Sequence, residues 1–237
     1  MNNGVYDAVS DALAEHTWTE FGGIEPNPTY ETLVRGIAAA RDFHADFIVA
    51  VGGGSVIDGS KLISSALATP CDDPWELMTG ETHVRAALPL GTILTLPAAG
   101  SEMNPHAIVS RKNPPEKLAL SSPLLYPRFS ILDPAVTFSL PPRQVSNSIV
   151  DPFVHVLEQY LTYPVGAPLQ DRFAESILLT LTETGPRTLD APEDYDARAV
   201  MMWSATMALN GMISCGVPQD WATHAIGHEL KIGRAHV

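Results

Sequence analysis

The sequence predicts a two-part chain, an α/β region over residues 1–140 followed by an all-helical region over residues 141–230. Two continuous apolar runs of strand length, residues 47–51 and 92–96, have the composition of strands buried in a parallel sheet. Helical periodicity between them gives the order of βαβ units with right-handed crossovers. Beyond Pro141-Pro142 only helical stretches follow.

Taken in order, residues 5–16 look helical, and no strand precedes them. Residues 17–21 are a short strand candidate, closed by turns at Gly22-Gly23 and Pro26-Asn27-Pro28. Residues 29–44 place Leu33, Ile37 and Ala40 at helical spacing. The strand at 47–51 runs into Gly52-Gly53-Gly54-Ser55, and residues 55–67 continue as a helix. The strand at 92–96 ends in Pro97-Ala98-Ala99-Gly100-Ser101. Residues 107–111, 117–121 and 130–132, separated by prolines, suit a hairpin and a final strand. Helices are expected at 143–162, 170–189, 194–211 and 218–230, with Pro164, Pro168, Pro192 and Pro218 in the loops. The last six residues match an in-frame translation of a sequencing adapter, so 231–237 is expected to be an artefactual tail.

The net charge of −13 repels phosphate backbones and anionic lipid, which excludes nucleic acid and membrane as expected partners. No apolar run reaches membrane-spanning length. Cys71 and Cys215 form neither a disulfide framework nor a metal spacing, so a reducing, cytoplasmic setting is expected.

Two short segments carry potential metal ligands four residues apart: Asp151-Pro152-Phe153-Val154-His155 and His224-Ala225-Ile226-Gly227-His228. On a helix such pairs project from one face, and a carboxylate with imidazoles from facing helices can hold a divalent cation. A plainer reading makes Asp151 an N-cap with Pro152 as the first helical residue. A helix starting near Arg143 would instead put Pro152 inside it, against the carbonyl of Ser148. His224 and His228 also fit a helix face in a core, while His16, His44, His83 and His106 have no such company and are expected at the surface. The cluster Met201, Met202, Trp203 and Met207 fits core packing.

The turn at residues 52–55 leads from strand to helix, where backbone N–H groups and the helix N-terminus favour a phosphate. It lacks the full dinucleotide spacing, so a plain tight turn remains open, with Asp58 as a first-turn acid. The loop after Thr95 would leave the same sheet edge and complete a ligand crevice.

These residues, with Glu20-Phe21-Gly22-Gly23-Ile24-Glu25-Pro26-Asn27-Pro28, Leu140-Pro141-Pro142-Arg143-Gln144-Val145 and Gly216-Val217-Pro218-Gln219-Asp220-Trp221, resemble the iron-containing (group III) alcohol dehydrogenases over residues 1–230. The nearest branch is that of butanol dehydrogenases and broad-specificity aldehyde reductases. The resemblance implies a dehydroquinate synthase-like fold and hydride transfer between NAD(P)H and a small aldehyde or primary alcohol. It implies Asp151, His155 and His224 as ligands of Fe²⁺ or Zn²⁺, and His228 as the residue beside the nicotinamide. It further implies Gly53, Gly54, Ser55 and Asp58 at the pyrophosphate, Thr95 and Asn104 around the coenzyme, Lys117 at a ribose and Asn27 near the adenosine.

NADP(H) is expected in preference to NAD(H), and the resemblance implies a homodimer, since family members commonly pair. Relative to the family the chain is expected to be a fragment, lacking the first strand and, beyond Val237, a fourth ligand histidine. Two alternatives stand beside this reading: an inactive truncated fragment, or a metallohydrolase using a metal-activated water.

Overall fold

A computed structural model of the protein describes residues 4–229. The tail at 231–237 lies outside the described residues. The α/β region contains α1 (Val5–Ala12), α2 (Tyr30–Asp42), β1 (Ile48–Gly53), α3 (Gly54–Ala68), α4 (Trp75–Thr79), β2 (Leu90–Leu96), β3 (His106–Arg111), β4 (Glu116–Ser121) and β5 (Phe129–Leu132). The helical region contains α5 (Pro142–Tyr160), α6 (Pro168–Asp190), α7 (Tyr195–Ala208) and α8 (Ala222–Glu229).

Strands β1, β2 and β5 form a parallel sheet in the order β1-β2-β5. The central strand β2 buries Leu90, Thr92 and Leu94. It also brings Gly91 under the ring of Phe129, where a Cβ would come within 2.3 Å. Strand β1 is less covered than its apolar run suggests, because β2 is its sole strand neighbour among the described residues, and Phe47 is exposed. The hairpin β3–β4 is antiparallel, pairing Ala107 with Leu120 and Val109 with Leu118. It packs over α2 and α3 in the main core with Leu33, Leu62 and Trp75. A second core joins α5, α6 and α7 through Val156, Leu181 and Met201.

Two expectations need correction, and one element is new. Residues 17–21 form no strand; the Phe21 ring lies so close to α2 that a Cβ on Gly36 would meet it at 2.9 Å, so the segment packs on a helix. The new element is α4, whose five residues are too few to show a helical period. Trp203 is exposed, whereas Met201 and Met202 are buried, so the indole lies on the outer face of α7.

Candidate metal centre and nucleotide cleft

Helix α5 runs unbroken from Pro142 to Tyr160 with Pro152 inside it. The N-cap reading of Asp151 is therefore excluded. Proline has no N–H to give the Ser148 carbonyl, a cost of about 3 kcal/mol in an ordinary helix. What the helix gains is register, since Asp151, His155 and Glu158 fall on one face at i, i+4 and i+7. Helix α8 begins after Trp221 and turns His224 toward that face.

The result is a compact cluster. One ligand atom each from Asp151, His155 and His224 lies within 4.8 Å of the others. Asp151 Oδ1 stands 3.8 Å from His155 Nε2 and 3.7 Å from His224 Nε2. The two imidazoles stack with centroids 4.6 Å apart, and Trp221 meets His224 edge-on at 5.6 Å. His155 is buried at 2% exposure. Metal bonds of about 2.1 Å in tetrahedral geometry separate neighbouring donors by about 3.4 Å; the two distances from Asp151 are within a few tenths of an ångström of that, and the cluster as a whole, spanning up to 4.8 Å, would draw in around a cation. The mixed oxygen and nitrogen donors suit Fe²⁺ or Zn²⁺.

Burial alone would lower the His224 pKa, but the carboxylates of Asp151 and Glu158 reverse this and hold it above the ordinary histidine range. Sequence reasoning missed Glu158. Its buried carboxylate contacts His224 Nδ1 and accepts from the His224 backbone N–H at 3.0 Å. The i+7 spacing from Asp151 was the available signal. His228 lies beside the cluster, its ring 6.2 Å from that of His224.

At the other end of the site, the turn from β1 into α3 admits no side chains. A Cβ on Gly54 would meet Ala99 Cβ at 2.9 Å, and one on Gly52 would meet Val56 at 2.6 Å. Helix α3 starts at Gly54 with no side-chain cap, a first turn suited to an anion. Ser55 Oγ accepts from the Asn27 backbone N–H at 3.2 Å, and Lys117 Nζ donates to Asn27 Oδ1 at 3.0 Å. Ser55, Asn27 and Lys117 are thus linked. A cavity of about 380 Å³ opens beside them, with Arg111, Lys112 and Lys117 in its lining. Thr95 sits near the end of β2, one residue before the Leu96 that pairs with Gly53.

Asp58 and Asn104 have structural partners. Asp58 is buried, accepting from Ser101 Oγ at 2.7 Å and from the Ile108 N–H at 3.0 Å, so it ties α3 to the loop after β2 and to β3. Asn104 holds Lys61, another residue that sequence reasoning missed. Lys61 is fully buried and donates to Asn104 O at 2.8 Å, Asn104 Oδ1 at 3.1 Å and His106 O at 2.7 Å. Burial pulls its pKa down to about 8, against the charges of Asp58 and Glu102. Burial likewise pushes Glu102 up, although Thr206 Oγ1 donates to it at 2.5 Å. That bond joins the loop after β2 to α7. Gln159 Nε2 completes the connection, donating to Ala208 O at 2.8 Å and His155 O at 2.7 Å.

Comparisons with known proteins agree with this architecture. The model of the iron-containing alcohol dehydrogenase family matches residues 1–134. That of the C-terminal part of the Fe-containing alcohol dehydrogenase family matches residues 145–234. The NADPH-dependent aldehyde reductase YqhD of Escherichia coli is 56% identical over 96% of this chain and 59% of its own length. A probable NADH-dependent butanol dehydrogenase of Bacillus subtilis is 43% identical over 97% of this chain and 59% of its own. The crystal structure of NADH-dependent butanol dehydrogenase A from Thermotoga maritima superposes with a TM-score of 0.91 at 36% identity, covering 99% of this chain and 58% of that one. The chain thus spans about three fifths of the length of the curated relatives it matches.

Proposed function

Because the chain belongs to the iron-containing alcohol dehydrogenase family, we propose that it carries the coenzyme turn and metal cluster of an oxidoreductase moving a hydride between NAD(P)H and a small aldehyde or primary alcohol. The observation that carries this reading is the convergence of Asp151, His155 and His224 from two helices some 70 residues apart in sequence. We read the α/β and helical regions as two domains meeting near residue 140, working as a homodimer in the cytoplasm. The NADPH dependence of the 56% identical aldehyde reductase supports NADP(H) over NAD(H).

When bound, a divalent cation supplies Lewis acidity toward a substrate oxygen, and the nicotinamide gives or accepts the hydride. Asp151, His155 and His224 would hold the cation, with Asp151 offsetting part of its charge. Gly53, Gly54 and Ser55 would hold the pyrophosphate against the open first turn of α3. Lys117 would reach a ribose, Asn27 would lie near the adenosine, and Thr95 would line the coenzyme's flank. Asp58 and Asn104 act beneath the cleft, holding the loops that shape it. His228 would hold or move a proton at its imidazole beside the reacting centre. The Trp221 indole would cover part of the histidine pair, its ring 6.1 Å from that of His155 and 5.6 Å from that of His224.

Reduction of butanal by NADPH, followed as loss of nicotinamide absorbance, tests the reading. Asp151→Ala and His224→Ala are each expected to slow turnover at least about 100-fold, or some 2.7 kcal/mol of barrier. NADPH fluorescence on binding should be unchanged in both. Wild-type turnover in either variant would contradict the ligand assignment.

A further inference from the structure

We propose that Glu158 is a positioning residue for the metal centre: it fixes His224 as the Nδ1–H tautomer and so presents Nε2 to the cation. This rests on the ligand reading above and adds to it a residue with its own role. The carboxylate of Glu158 contacts His224 Nδ1. An ionised carboxylate can only accept, so in the neutral ring the proton resides on Nδ1 and the lone pair on Nε2. That Nε2 is the atom 3.7 Å from Asp151 Oδ1, on the side of the cluster where the His155 ring stacks. The opposite tautomer would point an N–H at the place a cation must occupy.

Glu158 also fixes the backbone that carries His224. Its other oxygen, Oε1, accepts from the His224 N–H at 3.0 Å, and its main-chain carbonyl accepts from the Asp220 N–H at 2.9 Å. One residue of α5 therefore holds the start of α8 at three points. It does so from a buried position, where competition from water is weak. The hydrogen bond to a ligand imidazole both orients the ring and raises its basicity as a donor.

Cobalt(II) titration of the 237-residue chain, read by the visible absorption of the bound ion, separates this role from the ligand reading. His224→Ala should abolish the signal. Glu158→Ala should weaken binding by about 10–100-fold, with Glu158→Gln, which keeps one of the two acceptor oxygens and loses the charge, between it and wild type. Nitrogen-15 NMR of the metal-free imidazoles supplies a readout that a packing defect alone would not move. At a pH alkaline enough for the ring to be neutral, wild type should show His224 protonated on Nδ1, and Glu158→Ala a population protonated on Nε2. Should Glu158→Ala lose its fold, the Gln variant decides, since wild-type cobalt affinity in it would overturn the charge-assisted role. Undiminished affinity or an unchanged tautomer in a folded Glu158→Ala protein would overturn the proposal while leaving the ligands in place. If wild type and His224→Ala give the same cobalt spectrum, the ligand reading itself fails.

Discussion

Lys61 shows how a single residue can govern the cleft without facing it. Its ammonium meets three oxygen acceptors at 2.7 to 3.1 Å, one hydrogen for each. Lys61→Met would leave the Asn104 and His106 carbonyls without that donor, costing about 2 kcal/mol at neutral pH as read by urea unfolding. The pH dependence has an unusual sign. With a folded pKa near 8 against 10.5 for the exposed group, the unfolded chain binds more protons between those values. The penalty of burying the charge is therefore complete below pH 8 and is relieved as pH rises toward 10.5. Wild type should gain stability relative to Lys61→Met across that window, and a flat difference would contradict the assignment. Neither Lys61 nor Glu158 stood out in the sequence, because a lysine or glutamate on a helix ordinarily marks a solvated face. Only the packing of distant segments makes them buried partners. The pairs Asp151/His155 and His224/His228 stood out as candidates because a repeated i, i+4 spacing is a local pattern, while the choice of Asp151, His155 and His224 among them came from the family resemblance.

At the scale of elements, α5 carries a defect at the place where it bears the ligands. Pro152 deprives the buried Ser148 of its helical donor. Pro152→Ala should restore that bond at the expense of a small void, stabilising the protein by about 1–2 kcal/mol without loss of metal binding. Thermal unfolding and cobalt titration check both halves. The β1–α3 turn makes the opposite demand. Gly54→Ala would drive a methyl to 2.9 Å from Ala99 and push the two loops of the cleft apart. We expect at least about a tenfold loss of NADPH affinity by fluorescence titration, with about 1–3 kcal/mol of overpacking. Strand and helix order was readable because periods of 2 and 3.6 are written locally. The strand expected at 17–21 failed because extended, aromatic-rich sequence still needs a partner, and here Phe21 found α2 instead. The choice between capping and interior placement of Pro152 depended on where α5 begins, ten residues upstream at Pro142.

Across the whole molecule, the two regions are joined by buried hydrogen bonds that end at the backbone of His155. The hydrogen bonds Thr206–Glu102 and Gln159–Ala208 run from the loop after β2, through α7, to the backbone of His155. The chain is acidic overall, yet the cavity beside Asn27 is lined by three basic residues, Arg111, Lys112 and Lys117, against two acids, Glu25 and Glu116, with Glu116 paired to Arg111. No helix among the described residues is long and apolar enough to cross a membrane. The family likeness extends through both regions, from residue 1 to 134 and from 145 to 234. The central claim, that two helix faces meet around a cation, is open to one direct measurement. Crystals soaked in zinc, with diffraction recorded on either side of the zinc absorption edge, should give an anomalous peak bounded by Asp151 Oδ1, His155 Nε2 and His224 Nε2. A fully soaked crystal with no peak there, or with its strongest peak elsewhere, would contradict the account.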